Sequence, residues 1–169
     1  MSVREIVPFG EPVLRKVAKP VTEINAKIIN LLNDMKDTLD DAYGAGLAAP
    51  QVGILRRVIV MQIEDVYYEL INPEIIEKSG EQIGYEGCLS LPGYIGIVKR
   101  YNDVKITTLT REGKTIELVA EGYLARCIQH EMDHLNGVLY IDHVQDTYLI
   151  HEENKKKMSL IEAMKLADV

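Results

Sequence analysis

The 169-residue sequence holds only two cysteines, Cys88 and Cys127, and no purely apolar run longer than the four residues Val58–Met61. Crossing a bilayer takes about 20 consecutive apolar residues, so no membrane span is expected. The opening stretch MSVREIVPFG has no signal-peptide core either, and the chain reads as soluble and cytoplasmic. Two cysteines are too few for a disulfide framework, and a reduced compartment with a metal or a reactive thiol fits them better. Clustered basic residues are also missing. With a formal charge of −7 and a pI of about 5.1, a surface for coating nucleic acid is excluded, because phosphate binding needs grouped Lys and Arg. The one basic run, Lys155–Lys157, falls in a helical pattern after Glu152 and Glu153 and reads as a solvated helix face or a docking patch for an anionic partner. Repeats, low-complexity tracts and Pro/Gly/Ser linkers are absent, so residues 1–169 read as one domain. What is present suffices for a full core: 47% of residues are hydrophobic and 27% charged.

Periodicity supplies the organisation. After Pro20, with Thr22 as the expected cap, Ile24, Ile28, Leu31, Leu32, Met35 and Leu39 recur at three and four residues. That stripe predicts an amphipathic helix ending near Tyr43, where Gly44 and Gly46 break it. Val58–Ile63 and Tyr67–Ile71 read as strands paired across residues 64–66, with Asn72 and Pro73 as a stop. Val104–Leu109 and Thr115–Ala120 form a second hairpin turning at Glu112 and Gly113. From Tyr123 the period becomes helical until Asn136 and Gly137, and Tyr148–Ala167 reads as a C-terminal helix. Strands without regular βαβ alternation predict an α+β fold, with mostly antiparallel strands around the helix that starts near Tyr123 and a helix toward each terminus.

That central helix carries His130-Glu131-Met132-Asp133-His134, an H-E-x-x-H pattern. Helical residues four apart share a face, so the two imidazoles can converge on one ion. Glu131 lies about 100° round from His130, where a general base for water held at a metal belongs. A surface pair or two satisfied, partly buried histidines would also produce the pattern, so the third ligand matters.

Two other segments, Gly44-Ala45-Gly46-Leu47-Ala48-Ala49-Pro50-Gln51 and Glu86-Gly87-Cys88-Leu89-Ser90, precede Gln129–His134. In order and approximate separation the three resemble the motifs of the peptide deformylase family, and the likeness runs from Val13-Leu14-Arg15 to His134–Gly137. The resemblance implies a metal-dependent amidohydrolase that removes the formyl group from formyl-methionine of newly made polypeptides, releasing formate. Cys88, His130 and His134 would then be the ligands of one divalent ion, with the fourth tetrahedral position open for water. Iron(II) is the implied native metal, with zinc, nickel or cobalt acceptable to the same donors. Glu131 would act as base and then acid, while the Gln51 amide and the Leu89 backbone N–H donate to the substrate carbonyl oxygen. Gly44, Ala45, Gly46 and Gly87 would line the peptide, and Gly84, Tyr123, Arg126, Cys127 and His130 the methionine pocket. The implied partners are formyl-Met nascent peptides and, through the C-terminal helix, the ribosome.

Two positions depart from relatives. Arg126 stands where relatives often have an aliphatic residue, so either its stem lines the pocket while its head snorkels to solvent, or the pocket edge differs. Tyr94, Ile95 and Gly96 occupy a stretch that in some relatives carries a substrate-facing arginine. Cys127 invites a closed Cys2His2 site, but a helix rise of about 1.5 Å per residue sets it about 10.5 Å from His134 along the axis, too far for one tetrahedral ion. Asp133 reads either as a partner of a cation such as Arg100 or as a solvated acid. A zinc endopeptidase shares the H-E-x-x-H pattern, and a metal-stabilised binding module would use the same ligands without turnover.

Overall fold

The computed structural model describes residues 2–168. In chain order it contains α1 (Ala26–Ala42), β1 (Gly46–Ala48), β2 (Val58–Ile63), β3 (Val66–Ser79), β4 (Gln82–Cys88), β5 (Leu91–Arg100), β6 (Asp103–Leu109) and β7 (Thr115–Glu121). Then follow α2 (Gly122–Leu135), β8 (Tyr148–His151), β9 (Lys157–Ser159) and α3 (Leu160–Ala167). The strands form a five-stranded sheet, β1-β2-β3-β6-β7, and a four-stranded sheet, β4-β5-β8-β9. Every pairing within them is antiparallel, so the expected α+β architecture holds.

The longest apolar run in the first half becomes the strand covered on both faces. Side chains alternate along a strand, so Val58 and Val60 point one way and Ile59, Met61 and Ile63 the other. The first pair packs with Leu31, Leu32, Met35 and Leu39 of α1. The second set packs with Ala125, Ile128, Met132 and Leu135 of α2. The sheet is therefore sandwiched, and near-continuous hydrophobicity in β2 follows from double coverage. The helices take opposite sides because each has one apolar stripe to bury.

α2 uses its remaining surface on the second sheet. Arg126, His130 and His134, spaced by four, face β4 and touch Glu86 and Cys88. Its end is fixed as expected at Asn136 and Gly137. Gly137 has φ 73°, and a Cβ there would lie 2.6 Å from the Arg15 carbonyl oxygen, so only glycine fits. Arg57 Nη1 donates to the Leu135 carbonyl oxygen at 3.1 Å, a cation at the negative end of the helix.

Several sequence expectations need correction. The cap of α1 is Asn25, whose Oδ1 accepts from the Ile28 N–H at 3.2 Å, so the helix starts after Thr22 and Ile24. β3 does not stop at Asn72 and Pro73. Asn72 takes a left-handed conformation (φ 51°), and its side-chain amide bonds both the N–H and the carbonyl of Val21. β2 ends opposite Ile71, so Pro73 needs no partner on that edge, and β6 carries the pairing on to Ser79. The segment Tyr148–Ala167 is not one helix. Tyr148–Ile150 is β-branched and aromatic enough to pair as β8 with β5 and β9, while Ser159 Oγ caps the short α3 at Glu162 N–H. Lys155–Lys157 consequently lies in a loop and the start of β9, not on a helix face. β1, β4 and β5 were not anticipated from periodicity.

Candidate active site

The motif segments converge through three elements. β4 delivers Cys88 at its end, α2 delivers His130, Glu131 and His134, and the turn after β1 delivers Gln51. The Cys88 Sγ and one ring nitrogen from each of His130 and His134 all lie within 4.8 Å of one another. Cys88 Sγ is 3.4 Å from His134 Nε2. Tetrahedral metal donors with bonds of about 2.0–2.3 Å stand at such separations, and one thiol with two imidazoles suits a borderline-soft divalent ion. The residues therefore fit a metal ion. A second observation agrees: Glu131 is buried beside them with its Oε2 lacking any hydrogen-bond partner among the described residues. A buried carboxylate oxygen without a donor is costly unless a ligand or water supplies one.

The imidazole of His130 is aimed from behind. Its Nδ1 lies 2.9 Å from Glu86 Oε1, which leaves Nε2 for the ion, the carboxylate–histidine–metal arrangement that fixes tautomer and ring orientation. Tyr140 stacks on the same ring at 6.0 Å between centroids. Glu86 in turn is gripped by two arginines. Arg100 donates through Nε and Nη2 at 2.8 Å each, and Arg126 through Nη1 at 2.7 Å. Burial works against the charge of Glu86, but Arg100 and His130 outweigh it and hold the carboxyl well below the usual carboxylate range. Asp133 is paired, not merely solvated: it accepts from Arg100 Nη1 at 2.6 Å and lies 3.1 Å from His143 Nε2.

Glu131 behaves oppositely. Burial pushes its carboxyl up to about 7, against the pull of His130, while Glu86 adds to the rise. A carboxyl near neutrality can both accept and return a proton. Its approach to the donors depends on Gly46, where a Cβ would lie 2.9 Å from Glu131 Cγ and 3.2 Å from Oε1. Gly44 is likewise close-packed, with a Cβ site 2.7 Å from Leu89 Cδ1. Neither glycine has a positive φ, so what both positions require is space; the left-handed residue here is Tyr43. Gly46→Ala should consequently push Glu131 out of place. The expected result is at least a tenfold loss of kcat with the bound ion retained, read from steady-state turnover beside metal analysis.

A cavity of about 420 Å³ opens onto these groups. Gly44, Ala45, Gly46, Gly87, Leu89, Tyr123, Arg126 and Cys127 are among its lining residues. Gln51 is buried behind it. Its Oε1 accepts from the Ala48 N–H at 3.0 Å, which directs Nε2 to within 3.5 Å of Cys88 Sγ. Cys127 stands outside the donor group, and burial pushes its thiol up to about 12. Arg126 overturns the expectation of a head in solvent: it is 4% exposed and turns inward to Glu86 and to the Val98 carbonyl oxygen at 3.0 Å. Ile95 lines the cavity, so no arginine is present at that position.

A sequence model of the family described as polypeptide deformylase matches residues 3–148. A peptide deformylase of Caldanaerobacter subterraneus is 56% identical over 144 residues, covering 85% of this chain and 91% of that protein. One from Thermoanaerobacter pseudethanolicus is 50% identical over 158 residues, covering 94% and 98%. Among solved structures, the peptide deformylase of Thermotoga maritima superposes with a TM-score of 0.84 at 41% identity, covering 86% of this chain and all of that one. With the profile, the relatives, the fold and the Cys/His donor group in agreement, the chain belongs to the polypeptide deformylase family.

Proposed function

We propose that the protein removes the formyl group from the formyl-methionine that begins new polypeptides, releasing formate and a free amine. One observation carries the reading: a thiol, two imidazoles and a buried carboxylate oxygen without a partner among the described residues meet at one cavity. Cys88, His130 and His134 would hold one divalent ion, iron(II) in the native protein. When bound, the ion supplies a Lewis acid that acidifies water and polarises the carbonyl. Glu131 takes the proton of the attacking water and returns it to the departing amine. Gln51 Nε2 and the Leu89 N–H donate to the carbonyl oxygen as it becomes tetrahedral, each contributing about 3 kcal/mol.

Gly44–Gly46 and Gly87 pair with the substrate backbone as an added strand. The methionine side chain enters between Tyr123, Cys127 and the stem of Arg126, whose head is already committed to Glu86. Contact with the ribosome falls to α3, whose Ile161 is 69% exposed and which follows the basic Lys155–Lys157 segment in the chain. The test of the chemistry is formate release from a formyl-Met peptide by iron-loaded protein. Wild type should release formate and Cys88→Ala should lose both the ion and the release. A loaded wild type that yields none overturns the reading.

A further inference from the structure

We infer that a second cavity, lined by a different stripe of α2, is a binding site for a small aromatic carboxylate. Its volume is about 560 Å³, against about 420 Å³ for the cavity at the metal donors, and small-molecule sites commonly span about 300–1,000 Å³. Tyr123, Arg126, Cys127 and His130 line the first cavity, and Gln129, Met132, Asp133 and Asn136 the second. Both sets keep the helical spacing of three and four. Their offset of six residues rotates one stripe about 120° from the other, so α2 serves both cavities at once. The remaining walls come from both sheets, with Ile75 and Lys78 on β3 and Lys99 and Arg100 on β5. Lys78 stands opposite Val104, which packs in the core with α2, so the register turns the lysine to the α2 side of its sheet.

The side chains set the class of ligand. Lys78, Lys99 and Arg100 meet Glu81 and Asp133 in this lining, an excess of one cation in a chain of formal charge −7. Lys99 is paired with Glu81 at 2.8 Å, and Arg100 with Asp133 at 2.6 Å and Glu86 at 2.8 Å. His143 Nε2 lies 3.1 Å from Asp133. Lys78 is the cation left over: it has no ion pair among the described residues, and its Nζ stands 5.0 Å from the centroid of the Tyr101 ring. The Gln145 side-chain amide also lacks a partner among the described residues and offers a donor to a carboxylate oxygen. Apolar surface comes from Ile75, Met132 and Tyr101. An ammonium beside an aromatic ring and a thioether suits a ligand whose carboxylate sits a short link from a flat apolar body, with the ring against Tyr101 or Met132. Such an occupant would lie against Asp133, which shares Arg100 with the Glu86 carboxylate that aims His130.

Met132 is the one methionine in this lining and supplies the readout. Zinc-loaded protein carrying ¹³C-methyl methionine is titrated with indole-3-acetate, the Met132 resonance being identified by Met132→Leu. In wild type that resonance should shift saturably with a Kd of about 1 mM, the affinity that ordinary ligand efficiency gives a molecule of this size. Tryptamine, with the same ring system and the opposite charge, should produce no saturable shift. Lys78→Gln should weaken indole-3-acetate about threefold and Lys78→Glu about tenfold, with wild-type binding falling as salt is added. Lys114→Gln, the same charge change at the exposed β6–β7 turn, should bind as wild type does. No saturable response of Met132 in wild type, an equal response to tryptamine, or an affinity that survives both Lys78 substitutions overturns the inference. Each readout is of binding, so formate release tests the deformylase reading separately.

Discussion

Glu131→Ala protein carrying its full complement of metal is expected to release formate about 10²- to 10⁴-fold more slowly than wild type, the range for removing a positioned acid–base group. Glu131 is free to take this part because Cys88, His130 and His134 supply the donor set and the glutamate only borders it, with Oε1 3.7 Å from His130 Nε2. A structural role would predict the opposite pattern of effects. The buried carboxyl is held up to about 7 by burial, so folding opposes its ionisation and its removal relieves that cost. The thermal midpoint of metal-free Glu131→Ala should therefore equal or exceed that of metal-free wild type, while turnover of the metal-loaded variant collapses. Near-normal turnover in a metal-replete variant, or a large fall in stability, refutes the assignment.

Glu86→Gln should damage what Glu131→Ala spares. Glu86 is the common acceptor for Arg100, Arg126 and His130, all buried. Neutralising it leaves two guanidinium groups facing one amide, and Arg126 Nη2 already lacks a partner among the described residues. Breaking a buried ion-pair group by removing one member costs about 3–5 kcal/mol. The amide must also choose between presenting its oxygen to the arginines and to His130 Nδ1, which loosens the ring that points at the ion; removal of such supporting carboxylates weakens metal binding about 10- to 100-fold. Urea titration and chelator competition read the two effects separately. A variant with wild-type metal affinity and an unshifted midpoint would show that Glu86 is a bystander.

The sequence displayed the site more fully than the sheets around it. His130, Glu131 and His134 were legible because helical spacing alone puts them on adjacent faces, and Cys88 followed from the motif that flanks it. Glu86 also left a trace that went unused: two residues before Cys88 in a strand, it must share a face with it. Tyr140 against His130 left none, since the rest of α2 and a four-residue loop separate them. Among the strands, Val58–Ile63 was clear and β4 and β5 were not. Gly84, Gly87, Gly93 and Gly96 give those two little intrinsic strand preference, and their pairing from Gln82↔Arg100 to Cys88↔Leu91 is a tertiary effect. Arg126 misled for a related reason. A lone arginine in an apolar wall suggests an outward head, and only the arrival of Glu86 from another element turns it inward.

α2 lies between two sheets, and its donors face a cysteine that belongs to the second of them. A metal ion held by these donors would sit at the seam between the two sheets. Anything bound across that seam is linked to its closure, so the apparent melting temperature should climb with free metal concentration by mass action. A partial parting of the halves, far short of unfolding, would be enough to let the ion go.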